Sequence, residues 1–422
     1  MGNWPKLARV VAAAIAAVAV PPAVAAATLA ASAPRATQPS AAHAARLPAA
    51  QRPVMGYNTW YQYGKVATEA DVLTEAKEME TDGLLAAGYN VLTIDDGWQG
   101  TSPARAAGAL LTWNPVEFPH GIPWLASQLK SMGFKLGIYT ALGVHTCWDR
   151  GYGAAGSYGH YQQDADTFAS WGVSFVKVDH CAGMPAGTTD AQLISYYQLF
   201  GEDITADGMT YSQEAPIFVS ISDFRAAVAA SSAVGGQWRV AADEHPYYPA
   251  SATIIGHLLI DLPLARYAGP GRWNDLDMLV PGQVLAHPFH FTVADEESQL
   301  AAWAMEASPL ILSTNVPALT PAELAPLKNP DMIAVDQSGA QASHYGMTRT
   351  VRYVYKEADG GMAVLLANVG LSTASVALPF RQVGVSAATE KVQNVFGGTV
   401  TAGDLRATLA PGQAELFVLR AA

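Results

Sequence analysis

The sequence predicts an α/β protein, a (β/α)8 TIM barrel followed by a C-terminal antiparallel β-sandwich, and three observations carry that expectation. From about Pro53 to about Asp336, short apolar runs alternate with amphipathic segments punctuated by glycine. Several of those runs stop abruptly on carboxylates, as barrel strands do at the end that carries chemistry. Beyond Asp336 the helical periodicity disappears, and short strand-like runs lie between Gly, Asn and Pro turns.

The elements follow in order. Strands are expected at Val54–Asn58, Asn90–Asp95, Lys135–Thr140, Ser174–Asp179, Ile217–Ser222, Arg239–Ala242, near Leu264–Tyr267 and at Leu310–Ser313. Between them, Thr68-Glu69-Ala70-Asp71 has the form of a capping box, and Val72, Leu73, Ala76 and Met79 continue it at helical spacing up to Gly88. Trp124–Met132 before Gly133 and Asp164–Trp171 before Gly172 repeat this helix-then-glycine punctuation. About eight strands alternating with helices over about 280 residues match a closed barrel better than an open doubly wound sheet. No glycine-rich dinucleotide or P-loop phosphate motif is present, which argues against nucleotide-binding folds. In the second region, Val351–Tyr355, Met362–Val369, Ser375–Pro379, Lys391–Val395 and Glu415–Arg420 read as sandwich strands, in a supporting role. The division expected is 51–336 for the barrel and 337–422 for the sandwich.

Ahead of both, residues 1–25 read as an export signal. Lys6 and Arg9 precede an alanine-rich apolar stretch from Val10 to Val20, and Ala23-Val24-Ala25 offers a cleavage site. The apolar stretch is short for a membrane span and is followed by Pro21 and Pro22. Residues 26–50 have the Ala/Pro/Ser composition of a disordered spacer. A secreted protein with no membrane attachment after cleavage is the expectation. The formal net charge of −12 disfavours nucleic acid and anionic membrane partners, while a neutral substrate is unaffected. The chain has 2 cysteines, Cys147 and Cys181. In an exported protein such a pair most simply forms a disulfide, closing a loop of about 35 residues and contributing roughly 3–4 kcal/mol on the chain-entropy account. A cysteine nucleophile or a metal site is the weaker alternative, because no His/Cys ligand cluster accompanies them, and no cofactor is expected.

The chemistry concentrates in two stretches. Ser174-Phe175-Val176-Lys177-Val178-Asp179-His180-Cys181 ends a strand on Lys177 and Asp179, and Val91-Leu92-Thr93-Ile94-Asp95-Asp96 ends another on adjacent carboxylates. Asp179 could simply cap the next helix or pair with Lys177. Adjacent carboxylates at a second strand end shift the balance, because they repel each other unless a cation or a hydroxyl-rich ligand lies between them, and a sugar is such a ligand. Retaining hydrolysis of a glycosidic bond uses one carboxylate as nucleophile and one carboxyl as acid, about 5 Å apart. Asp179 beside Lys177 suits the first role. Asp243, which follows the run begun at Arg239, suits the second.

The chain resembles glycoside hydrolase family 27, which contains α-galactosidases and α-N-acetylgalactosaminidases. The motifs that carry the resemblance are Met55-Gly56-Tyr57-Asn58-Thr59-Trp60, Gly88-Tyr89-Asn90 with Ile94-Asp95-Asp96-Gly97-Trp98, Phe118-Pro119-His120-Gly121-Ile122, Lys135-Leu136-Gly137-Ile138-Tyr139, Thr146-Cys147, Lys177-Val178-Asp179-His180-Cys181, Arg239 to Asp243, and Trp273-Asn274-Asp275-Leu276-Asp277-Met278-Leu279. The resemblance implies Asp179 as nucleophile and Asp243 as acid/base. It implies Asp95 and Asp96 on O4 and O6 of a galactosyl ring, Lys177 on O3 and O4, Arg239 on the O2/O3 side, Trp60 and Tyr139 as walls, and Cys147–Cys181 as an active-site disulfide. Asp275 and Asp277 are read as bracing the rim. The sequence departs from the family at Gly97, at Leu276, and most strongly in Val219–Arg225, taken as the loop that reads C2; there Ser222 is the candidate contact.

The expected activity is release of terminal α-D-galactosyl residues from a galactose-containing oligosaccharide or polysaccharide. An α-N-acetylgalactosaminidase, a β-L-arabinopyranosidase and an isomaltose-releasing dextranase share the scaffold and stand as alternatives. A non-catalytic carbohydrate-binding barrel is the reading from another class. The Asp95-Asp96 pair favours a hexose with axial O4 and a free O6, because a pentopyranose has no O6 to satisfy it.

Overall fold

The computed structural model describes residues 51–421 except 101–104, 106–107, 148–153, 182, 245–249, 283–289, 343, 359, 386–389 and 401–403. The expected signal and spacer therefore lie outside the described residues. Among the described residues, no helix is long and apolar enough to cross a membrane.

Eight parallel strands build the barrel: β1 Met55–Asn58, β2 Val91–Ile94, β3 Lys135–Ala141, β4 Val173–Asp179, β5 Thr210–Gln213, β6 Gly236–Arg239, β7 Arg272–Asp275 and β8 Leu310–Leu312. Hydrogen bonding runs in the order β7-β6-β5-β4-β3-β2-β1-β8. The two end strands are joined just past β7, where Leu279 N–H donates to Ile311 O at 2.7 Å and Ser313 N–H donates to Leu279 O at 2.8 Å. Closure is displaced because Asp277 adopts φ of 82°, in the left-handed region, and bends the chain between β7 and that contact.

The helices form where the sequence places them. Thr68 accepts from the Asp71 N–H, and the Asp71 carboxylate accepts from the Thr68 N–H, starting the helix Glu69–Thr81 with Val72, Ala76 and Met79 fully buried on its inner face. Helices Ile122–Ser131 and Tyr161–Ser170 begin slightly earlier than their periodicity suggested and end before Gly133 and Gly172, both at positive φ.

Three strands differ from expectation. Ile217–Ser222 is not the fifth strand; Ala215–Phe218 is a one-turn helix, and β5 is the preceding Thr-Tyr-Ser-Gln. The sixth ends at Arg239 rather than starting there, and Leu264–Tyr267 belongs to a 3-10 helix, with β7 following as Arg-Trp-Asn-Asp. These true strands are polar because their inward residues line a pocket, so the apolar signal fell on the rim segments beside them.

Beyond the barrel, β9 His344–Thr348, β10 Val351–Ala358, β11 Gly361–Asn368, β12 Ala374–Pro379, β13 Glu390–Asn394, β14 Gly398–Val400, β15 Asp404–Leu409 and β16 Ala414–Ala421 are antiparallel. Six of them form a sheet in the order β14-β13-β16-β11-β10-β9, and β12 pairs with β15. Between these two sheets lie Val364, Leu366, Val376, Leu378, Leu405 and Phe417. The alternate residues Val354, Ala363, Leu365, Leu416 and Val418 belong to the same apolar cluster as the barrel. The sandwich thus shares its outer core with the barrel through the helix Val293–Glu306.

Candidate active site

Five strand ends meet at the carboxyl end of the barrel. Asp95 follows β2 and is held from below, its N–H donating to Thr59 Oγ1 at 2.9 Å and its Oδ2 accepting from Asn58 Nδ2 at 2.7 Å. The Asp96 N–H donates to Asp95 Oδ1 at 2.9 Å, so the adjacent carboxylates are set by the backbone turn that joins them. On β4, Lys177 and Asp179 stand two residues apart and so share a face of the strand. Lys177 Nζ lies 2.9 Å from Asp95 Oδ2 and 4.0 Å from Glu214 Oε1, and 5.3 Å from the centroid of the Tyr139 ring.

Glu214 follows β5 and is buried. Arg239 at the end of β6 links the far side: its guanidinium is 3.4 Å from Glu214, 3.0 Å from Asp243 and 3.0 Å from Asp277. Asp243 is the exposed member, with half its side chain open to solvent. Asp277 also accepts from Tyr61 Oη at 3.1 Å and from the Glu244 N–H, and its own N–H donates to Asp275 Oδ1 at 2.8 Å. Gln237 Nε2 donates to Asp275 Oδ2 at 2.8 Å. Asp277 therefore holds Arg239, and Asp275 holds Asp277 and Gln237 in turn.

Asp179 has a distinct setting. Its Oδ1 accepts from the His180 N–H at 2.6 Å and its Oδ2 accepts from Tyr139 Oη at 3.3 Å. Cys147 and Cys181 form the expected disulfide, with Cα atoms 4.7 Å apart, and Cys147 Sγ lies 3.0 Å from Asp179 Oδ2. These three side chains are the one His/Cys/Asp/Glu grouping with metal-ligand spacing among the described residues. Both sulfurs are used in the disulfide, so no thiolate is available to a metal. The Cys147 N–H also donates to Tyr139 Oη at 3.3 Å, tying the phenol between the disulfide loop and the carboxylate.

The electrostatics follow from burial opposed by charge. Burial alone would lower the pKa of Lys177, but Asp95, Glu214 and Asp179 outweigh it and raise it, so its ammonium is retained. Burial and then the Asp179 carboxylate push Glu214 well above the usual carboxylate range, against the opposing pull of Arg239 and Lys177. Asp243 acts on Glu214 in the same direction as Asp179, so the two proposed catalytic carboxylates flank one buried acid. Burial raises the Tyr139 hydroxyl, followed by Asp179, Asp96 and Asp95, which keeps it a donor.

The structure thus brings Asp95, Asp96, Tyr139, Lys177, Asp179, Arg239 and Asp243 into one connected cluster. Trp60, half-buried, follows β1, where its N–H donates to Asn58 Oδ1 at 2.8 Å, the residue that also holds Asp95. Ser222 is outside this cluster: it is exposed in the turn at 221–223, and its Oγ pairs with Ser220 Oγ at 2.9 Å. Glu214 stands between Lys177 and Arg239, while Ser222, expected as the contact at C2, lies apart from it. The signal was present, since Tyr211-Ser212-Gln213-Glu214 ends on a carboxylate as the other site strands do, but its polarity hid it.

Residues 62–338 match the family described as Alpha galactosidase A (Melibiase_2). The chain belongs to this family. It is 33% identical over 362 residues to the "Probable alpha-galactosidase A" of Aspergillus terreus, covering 82% of this chain and 66% of that one. The alpha-galactosidase of Cyamopsis tetragonoloba is 30% identical over 344 residues, covering 80% of this chain and 78% of its own. Among solved structures, alpha-galactosidase I of Mortierella vinacea superposes with a TM-score of 0.76 at 24% identity, over 88% of this chain and 97% of that one. The last is a likeness of fold, and it agrees with a barrel followed by a β-sandwich.

Proposed function

We propose that this protein is a secreted, retaining glycoside hydrolase that releases terminal α-D-galactosyl residues from galactose-containing saccharides. The observation that carries the proposal is the convergence of Asp179 and Asp243 on one Lys177–Glu214–Arg239 core in a chain of this family. The two cations there are outnumbered by carboxylates. A net negative pocket stabilises an oxocarbenium-like transition state and repels anionic ligands.

In this reading Asp179, oriented by the His180 N–H and Tyr139 Oη, attacks the anomeric carbon and forms a covalent β-glycosyl intermediate. Asp243, the exposed carboxyl, protonates the leaving oxygen and then takes a proton from the water that resolves the intermediate. Asp95 and Asp96 accept from O4 and O6, Lys177 donates to O3 and O4, and Trp60 and Tyr139 form the walls. Glu214 takes the C2 role earlier given to Ser222. It offers an acceptor to a C2 hydroxyl next to Arg239 rather than an apolar recess for an acetamido methyl, which favours a galactoside over an N-acetylgalactosaminide.

The test separates the two carboxylates. Asp179→Gly should lose turnover, and azide should then give the β-galactosyl azide from an activated α-galactoside. Asp243→Gly should keep turnover only on substrates whose leaving group needs no proton, and azide should give the α-azide. Reversed azide stereochemistry would exchange the roles, and an inverted sugar from the unmodified enzyme would falsify the retaining mechanism.

A further inference from the structure

Asp243 lies past the end of β6, in a stretch that is neither helix nor strand, and half its side chain is open to solvent. A general acid must keep its proton within reach of the leaving oxygen, so the backbone that carries it has to be fixed. The next residue supplies that fixing. Glu244 is fully buried, and its N–H donates to Asp277 Oδ2, while the other oxygen of Asp277 lies 3.0 Å from Arg239. The Glu244 carboxylate in turn lies 2.9 Å from Nδ1 of His257, on the helix Ala250–Asp261.

His257 is also buried, with its ring centroid 5.9 Å from that of Trp303, and Trp303 Nε1 donates to the backbone oxygen of Asp277 at 2.7 Å. The peptide joining Asp243 to Glu244 is thus gripped twice, by Asp277 through its N–H and by the helix of His257 through the Glu244 side chain. Stability alone does not account for this pair. Taking a carboxylate and an imidazole out of water is costly, and apolar side chains of similar volume fill such a place at least as well. What the polar pair adds is a definite geometry between two named atoms, and it is applied to the residue adjoining the acid/base.

We propose that Glu244 and His257 are positioning residues for proton transfer, holding the backbone so that the Asp243 carboxyl faces the leaving oxygen. The inference rests on the reading of Asp243 as acid/base and adds two residues that act through it. Their loss is felt in proportion to the leaving group's need for a proton, whereas damage to the fold or to the sugar pocket falls on every substrate alike.

Melibiose, whose leaving alcohol needs a proton, is compared with 2,4-dinitrophenyl α-galactoside, whose leaving group does not. Removing one partner strands the other in the interior, so the deciding variant is Glu244→Met/His257→Leu, which replaces both with apolar side chains and should fold. Its kcat/KM should fall about tenfold or more on melibiose and less than twofold on the dinitrophenyl glycoside. On the latter, kcat should fall and be restored by azide, which attacks the glycosyl-enzyme without a base. Glu244→Gln, which keeps the shape and weakens only the pairing, should show the same split to a smaller degree. Equal losses on both substrates in either variant, or unchanged kcat/KM on melibiose in both, overturns the assignment. Asp243→Gly is the reference: a split there and in neither variant rejects the pair alone, and no split in Asp243→Gly rejects the acid/base reading and this inference with it.

Discussion

Two buried clusters of charge in this molecule have similar ingredients and opposite outcomes. At the barrel mouth, Lys177 stands among Asp95, Glu214 and Asp179 and keeps its ammonium. Where the barrel meets the sandwich, Lys356 of β10 is buried near Glu306 and Asp336, and burial lowers it from its ordinary value to about 8 despite both acids. There Asp336 is raised to about 8 chiefly by burial, and Glu306 is raised by burial and by Asp261. The difference is contact. Lys177 makes a direct ion pair at 2.9 Å, whereas Lys356 Nζ donates to the carbonyls of Ala304 at 2.8 Å and Ala340 at 2.7 Å. For these two lysines, desolvation wins where the ammonium is hydrogen-bonded to carbonyl dipoles, and loses where it is paired directly with a carboxylate. In the first cluster Lys177 keeps its charge ready for a substrate even though Glu214 beside it is pushed toward its neutral form; the second joins two layers with all its groups biased toward their neutral forms.

The sharpest way to break this comparison is to remove each lysine. Lys177→Met leaves Asp95 without its cation in the pocket, and kcat/KM on an α-galactoside should fall by about a thousandfold or more, equivalent to roughly 4 kcal/mol. Lys356→Met should change kcat/KM by less than twofold while lowering Tm by a few degrees, because two carbonyls lose their donor. A Lys356→Met enzyme as inactive as Lys177→Met would show that the junction is not a separate structural cluster.

The same contrast predicts a pH dependence of stability. Asp336 and Asp261 have folded pKa values of about 8 and about 7, above the ordinary 3.8, so the native state binds their protons more tightly than the unfolded chain does. Their contribution is fully present below the ordinary aspartate range and is lost as pH rises toward 8. Lys356 acts with the opposite sign above pH 8, where the native state binds fewer protons. Thermal melts from pH 5 to 8 at fixed ionic strength should therefore fall less steeply for Asp336→Asn than for the unmodified protein. Identical slopes would mean that Asp336 is not protonated preferentially in the fold. The smallest effect belongs to Ser222→Ala, which should leave kcat/KM within twofold for galactosides, since its described bond is to Ser220 on an exposed turn. A large loss would return the C2 contact to Ser222.

Much of this was legible before any coordinates. The first four strands and the eighth are apolar runs that end in charge or turn residues, and Asp95, Asp96, Lys177 and Asp179 sit at the two clearest of those ends. The capping box at Thr68 and the glycines after two helices are local signals, satisfied within a few residues of chain. The fifth and seventh strands were not legible. Thr210–Gln213 and Arg272–Asp275 are polar, while Val219 and Ile221 lie in an irregular rim segment where Ile221 is 70% exposed. Alternation reports burial, and a strand that lines a polar pocket buries polar groups.

By itself, the sequence determined the alternating barrel pattern, the change to antiparallel strands beyond Asp336, and the carboxylate-bearing ends of β2 and β4, because each is written in consecutive residues. Only the tertiary structure decided that Glu214 stands between Lys177 and Arg239 while Ser222 lies on an exposed turn, that Asp277 turns back to hold Arg239, and that Lys356 joins two layers with its pKa lowered. Those outcomes depend on distances between strands far apart in the chain. Whether a buried acid keeps its proton is set by which partner reaches it across that distance, and no local pattern encodes the partner.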